Sequence, residues 1–157
     1  MKRYYNIKDN IKSIIYAAFK QLTELGSLTI VSVIIIFSYF YDQTLAYDML
    51  IGVVAVTIIS LLIKALTYKE RPTKQKFSNL IERIDASSFP SVHSARIAIV
   101  AFWLSVYSDA LILKIFIISI AVLVAYSRIY LKKHYYVDVI AGIVLAGIID
   151  VLIYLYI

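Results

Sequence analysis

The sequence predicts an all-α fold, a membrane helix bundle of about five transmembrane helices preceded by an N-terminal amphipathic helix at the bilayer interface. Three observations predict it. Of 157 residues, 62% are hydrophobic and 17% charged, and the mean hydropathy is +0.83, far from the roughly 45–50% apolar and about 25% charged make-up of soluble domains. Runs such as VIIIF and IFIISIAVLV are unbroken, whereas barrel strands alternate apolar and polar residues. Five stretches also reach the roughly 17 to 25 residues that a spanning helix needs.

At the N-terminus, Ile7, Ile11, Ile14, Ile15, Phe19 and Leu22 recur at helical spacing opposite Lys8, Lys12 and Lys20. Residues 6–22 therefore read as an interfacial helix, with a water-side cap on the bundle as the alternative. Scattered lysines and a first long apolar run beginning only at Leu25 argue against a cleavable signal peptide. The expected spans are Leu25–Tyr41, Ala46–Tyr68, Phe89–Tyr107, Ala110–Tyr130 and Val137–Ile157. Asp42–Leu45 and Ser108–Asp109 read as tight hairpins, and Lys69–Ser88 as a long polar loop of the kind that carries function.

With 4 glycines, 2 prolines, no repeat and no linker composition, residues 1–157 read as one domain. The absence of cysteine excludes disulfides, thiolate nucleophiles and Cys-based metal sites. A net charge of +6 in so apolar a chain points to anionic lipid or an anionic substrate rather than nucleic acid. No obligate protein partner is expected.

Tracing the chain across the bilayer brings the second-to-third and fourth-to-fifth junctions to one face. The unusual polar residues gather there in three clusters. In KALTYKERP, Lys64 lies just inside a helix end, Arg71 follows, and Pro72 stops the helix. Two cations so placed suit an anion; snorkelling to the interface is the alternative. In SSFPSVHS, Pro90 sets the entry to a helix starting near Ser91, whose first-turn N–H groups suit phosphate oxygens. Ser91 or Ser88 equally reads as a plain N-cap. His93 occupies that first turn, where the helix dipole disfavours its protonation and a bound phosphate restores it.

In SRIYLKKHYYVD, Arg128 ends the fourth span, and His134 and Asp138 share a face four residues apart. A carboxylate accepting from one imidazole nitrogen leaves the other as base or nucleophile; a structural hydrogen bond is the alternative. Two histidines and one aspartate crowded by three cations would repel a divalent ion, so neither metal nor cofactor is expected.

Together, Lys64-x6-Arg71-Pro72, Pro90-Ser91-Val92-His93 and Ser127-Arg128-x5-His134-x3-Asp138 resemble the type 2 phosphatidic acid phosphatase family, which shares its site pattern with vanadium haloperoxidases. The resemblance spans residues 64–138 and continues into DVIAG. It departs at Val92, where family members usually have glycine. It implies metal-independent hydrolysis of a lipid phosphate. Lys64, Arg71, Arg128 and the amides near Ser91 and Val92 would hold the phosphate. His134 would attack phosphorus, oriented by Asp138, and His93 would protonate the leaving oxygen. A polyprenyl diphosphate is the expected substrate, with a phosphatidate or phosphatidylglycerophosphate as runner-up. A haloperoxidase and a non-catalytic membrane scaffold are the readings from other classes; the resembling haloperoxidases are soluble and much larger, and a scaffold gives no reason for the polar register.

Localisation in the plasma membrane is expected, with the side open. On this topology all 16 Lys and Arg residues except Lys114 lie on the motif face, which by the positive-inside tendency is cytoplasmic; the family resemblance implies the outer face. Lys114 and Asp150, at similar depth from the far face, are expected to form a buried ion pair.

Overall fold

A computed structural model describes residues 7–156. The start of the interfacial helix at residue 6 and the last residue of the fifth span, Ile157, lie outside the described residues, as do the side chains of Ile7 and Lys8. The regular elements of the described chain are all helical, in the order α1 (Ile7–Leu22), a 3-10 turn (Thr23–Gly26), α2 (Leu28–Tyr41), α3 (Gln43–Leu66), α4 (Leu80–Ala86), α5 (Val92–Val106), α6 (Leu111–Tyr130) and α7 (Tyr136–Tyr156).

Helix α1 leaves Ile11, Ile14 and Ile15 exposed and packs through Phe19 onto Tyr126 and Tyr130 of α6, with ring centroids 5.8 and 4.5 Å apart. An apolar face that protein does not cover suits the bilayer boundary. The chain then bends by 54° into α2, and Ser27 caps the new helix by accepting from Ile30 N. Asp42 alone links α2 to α3, its carboxylate accepting from Leu45 N at 3.0 Å.

Each expected span contains a helix, but not each is a span by its own length. Helices α3, α6 and α7 are long and apolar enough to cross a membrane, and α1 with α2 qualify only as one bent pair. Helix α5 has 15 residues, about 22 Å against a hydrocarbon core of about 30 Å. It starts at Val92 rather than Phe89 because Ser87, Ser88, Pro90 and Ser91 run buried in non-helical conformation at that level. The long polar loop also differs from expectation. It holds the short helix α4, capped by Asn79, whose side chain accepts from Glu82 N at 2.8 Å.

Helix α5 is central, touching α2, α3, α6, α7 and the 3-10 turn. Val31, Met49, Val56, Ile99, Trp103 and Ile149 form the core around it. Because lipid is as apolar as leucine, such helices associate by close packing at small residues. Gly142 of α7 shows this: a Cβ there would sit 2.5 Å from the Ser91 carbonyl oxygen. Gly26 likewise lets the 3-10 turn lie against His93, whose carbonyl oxygen would be 2.9 Å from an added Cβ.

The expected Lys114–Asp150 ion pair does not form. Asp150 is buried, one of its oxygens has no partner, and no ion pair links it to the half-buried Lys114. Matched depth did not suffice. Asp150 lies on the α7 face shared by Gly142, Ala146 and Ile153, which packs inward against α5 and α3 rather than toward Lys114 on α6.

Candidate active site

Where α3 ends, α5 begins and α6 passes to α7, a cleft of about 230 Å3 is lined by Leu61, Lys64, Arg71, Asp85, Val92, His93, Arg96, Arg128 and His134. The fold thus brings together six residues singled out from three separate motifs: Lys64, Arg71, Val92, His93, Arg128 and His134. Ser91 and Asp138 lie behind its wall, both fully buried.

The cations are held by neutral oxygens. Lys64 is only 5% exposed, and its Nζ donates to the Ser87 carbonyl at 2.6 Å, so it points into the bundle instead of snorkelling to water. Arg71, beyond the end of α3, donates from a terminal nitrogen to the Asp85 carbonyl. Arg128, in the last turn of α6, donates from Nη1 to Thr23 Oγ1 at 2.8 Å, an anchor created by the close approach at Gly26. The buried Nε groups of Arg71 and Arg128 have no partner. Unsatisfied buried donors are costly, and an anion in the cleft would satisfy them.

Ser91 occupies the N-cap of α5 without making a side-chain cap. Its N–H donates to the Asp138 carbonyl at 2.9 Å and its hydroxyl bonds to Ser94 at 2.9 Å. The expectation that the Ser91 amide faces phosphate is therefore corrected, because α7 has taken that donor. The N–H groups of Val92 and His93 precede the first bond of the helix, from Ala95 N to the Ser91 carbonyl, and remain the first-turn donors. Among the described residues the one non-glycine with positive φ is Lys132. Val92 thus has the backbone of an ordinary first helical residue and needs no glycine.

Lys132, at φ 54°, reverses the chain after α6, and the Lys133 and His134 amides both donate to the Arg128 carbonyl. This turn carries His134 over the cleft. The ring's Nδ1 lies 2.7 Å from the Ser88 carbonyl, which can only accept, so Nδ1 carries the proton and Nε2 is left free. Here too an expectation is corrected. Asp138 stands 3.9 Å from Nδ1 and is engaged elsewhere, with Lys69 Nζ at 2.6 Å and Tyr135 N at 2.9 Å. Four-residue spacing brought the two side chains close, but the buried Ser88 carbonyl is nearer the ring. Burial, with the charges of Arg128 and Arg71, pushes the His134 pKa down to about 2, so the ring is neutral.

Three contributors, Lys69, Thr23 and Arg96, were not singled out from sequence, and Ser88 was read only as a possible N-cap. Lys69, the partner of Asp138, also lies 5.0 Å from the Tyr135 ring centre. Thr23 and Ser88 act through a hydroxyl and a backbone carbonyl, which composition does not reveal. Arg96, one turn beyond His93, was legible as a charge inside an apolar helix.

A bundle of apolar helices that gathers cations, unpaired N–H donors and two histidines at one end is built for an anionic group on a membrane-borne molecule. The chain belongs to the PAP2 superfamily, which it matches over residues 45–157, and is a multi-pass membrane phosphatase. Among solved structures it is similar to LpxE of Aquifex aeolicus, with a TM-score of 0.78 and 23% identity over 91% of this chain and 87% of that one. It is also similar to the first transmembrane PAP2 type phosphatidylglycerolphosphate phosphatase from Bacillus subtilis, with a TM-score of 0.73 and 25% identity over 90% and 76% of the two chains. No curated protein matches it.

Proposed function

We propose that residues 1–157 act as one domain that hydrolyses a lipid phosphate, foremost a polyprenyl diphosphate, without a metal ion and through a phosphohistidine at His134. The observation that carries this reading is the convergence of His93, His134, Lys64, Arg71 and Arg128 on one cleft at an end of the bundle. Lys64, Arg71 and Arg128, with the Val92 amide, hold the phosphate and take up the charge of its transition state. The Nε2 lone pair of His134 attacks phosphorus in line; the N–P bond forms as the P–O bond to the leaving group breaks. His93, protonated beside the bound dianion, gives its proton to the departing oxygen. Water then attacks phosphorus, loses a proton to His93, and releases inorganic phosphate and free His134.

Ser91 and Asp138 act by positioning. Their backbone hydrogen bond fixes the start of α5 against α7, and the Asp138 carboxylate holds Lys69 and the Tyr135 amide at the loop bearing His134.

The polyprenyl diphosphate reading rests on charge, since the cleft sets four cations against the single carboxylate Asp85. A phosphatidate or phosphatidylglycerophosphate is the second reading, favoured by the likeness to the Bacillus subtilis phosphatase. The plasma membrane is its proposed location, with the cleft on the cytoplasmic face, because the topology traced from the sequence assigns the basic residues other than Lys114 to that side. Phosphate release by purified protein from each of these lipids tests the reading. Turnover of at least one is expected; inertness toward all contradicts it.

A further inference from the structure

We infer that Arg96 is a fourth phosphate-binding residue, supplied by none of the three motifs, which fits the cleft to a diphosphate ester by holding the phosphate that stays with the lipid. The inference rests on the proposed phosphatase reading.

Arg96 follows His93 by three residues on the same face of α5 and lines the same cleft, about 4.5 Å farther along the helix from the motif face. Its Nε donates to Thr57 Oγ1 of α3 at 3.1 Å. Thr57 precedes Lys64 by seven residues, about 10 Å deeper into the bundle. The tether therefore fixes Arg96 on the bilayer side of the two histidines. Among the described residues no carboxylate pairs with it, and its terminal nitrogens make no protein hydrogen bond. Charges within membrane helices face a partner or a polar cavity. Here the protein provides the cavity and no partner.

The direction of the reaction identifies the partner. Lys64, Arg71 and Arg128 surround the phosphorus that His134 attacks, and the leaving group departs past His93 toward the hydrocarbon. From a lipid monophosphate that group is an alcohol, neutral once His93 has protonated it, and Arg96 offers it little. From a diphosphate it is a phosphate monoester, anionic even after protonation, and a guanidinium one helical turn below His93 meets its charge.

The test compares kcat/KM of wild type and Arg96→Gln on a polyprenyl diphosphate, the matching polyprenyl monophosphate and phosphatidate, with gel filtration reporting the fold. Loss of a charge-assisted contact should lower diphosphate turnover roughly 10- to 100-fold, leave both monoesters within about threefold, and be partly rescued by Arg96→Lys. Equal losses on all three substrates, or no loss on the diphosphate, overturn the inference and leave the phosphatase reading standing. A wild type that hydrolyses none of the three overturns this inference, and one that is inert toward phosphatidylglycerophosphate as well overturns the phosphatase reading with it. If Arg96→Gln does not fold, Arg96→Lys must itself lose diphosphate turnover selectively, and uniform activity in that variant counts against the proposal.

Discussion

At His134 the two ring nitrogens have different fates. The Ser88 carbonyl accepts from Nδ1, and the ring resists a second proton because burial penalises the charged form and Arg128 and Arg71 repel it. The sign follows from linkage. With a folded pKa of about 2 and an unfolded value of about 6.5, the unfolded chain binds the extra proton first, so this residue lowers stability as pH falls below about 6.5. Histidine-labelled protein without phosphate should keep a neutral, Nδ1-protonated His134 from pH 8 to pH 4.5 in nitrogen-resolved NMR. A His134 midpoint near 6.5 would show that the cleft does not impose this electrostatics. The sequence displayed both histidines, Asp138 and the three motif cations. It did not display the Ser88 carbonyl, because a backbone acceptor has no residue type, and so the ring was paired with Asp138.

Among elements, apolar runs placed α2, α3, α6 and α7 within a few residues, because periodicity and length dominate where lipid is the solvent. Two elements were harder to read. Helix α4 hides in polar sequence, its start marked only by Asn79 and Glu82. Helix α5 is shorter than its apolar run because a buried non-helical segment precedes it, and that segment carries the Ser87 and Ser88 carbonyls to Lys64 and His134. The seat of α5 depends on Gly142. An alanine there places a methyl against the Ser91 backbone, which cannot rotate away. Gly142→Ala should cost roughly 1–3 kcal/mol, seen as a lower melting temperature in detergent, and should reduce turnover by shifting the Val92 and His93 amides. Gly147→Ala is the matched control, since nothing lies within 4 Å of its added Cβ. Equal melting temperatures for the two variants would remove Gly142 from this role.

For the whole molecule, charge and family resemblance point to opposite faces, and the anionic substrate complicates the count because a face that recruits it also favours basic residues. The proposed cytoplasmic orientation predicts that a cysteine at Ser78, an exposed loop position in a chain with no other cysteine, is protected from a membrane-impermeant thiol reagent in intact cells and labelled after permeabilisation. Labelling in intact cells would put the cleft outside. Chain tracing from sequence correctly joined three distant motifs at one end of the bundle, since helix count alone fixes which junctions share a face. It misjudged Lys114 and Asp150, because depth can be counted along a helix whereas rotation about its axis is set by packing.

The central claim is that His134 forms a phosphoenzyme without a metal ion. The most direct measurement is phosphate release from a polyprenyl diphosphate in excess EDTA by wild type and by a folded His134→Ala variant, with acid-labile, base-stable phosphate on the protein assayed in the same reactions. Full wild-type turnover in EDTA, a trapped phosphohistidine, and loss of both in the variant, at least about a thousandfold for turnover, are expected. Near-normal release by His134→Ala, or wild-type activity abolished by EDTA and restored by magnesium, would contradict it.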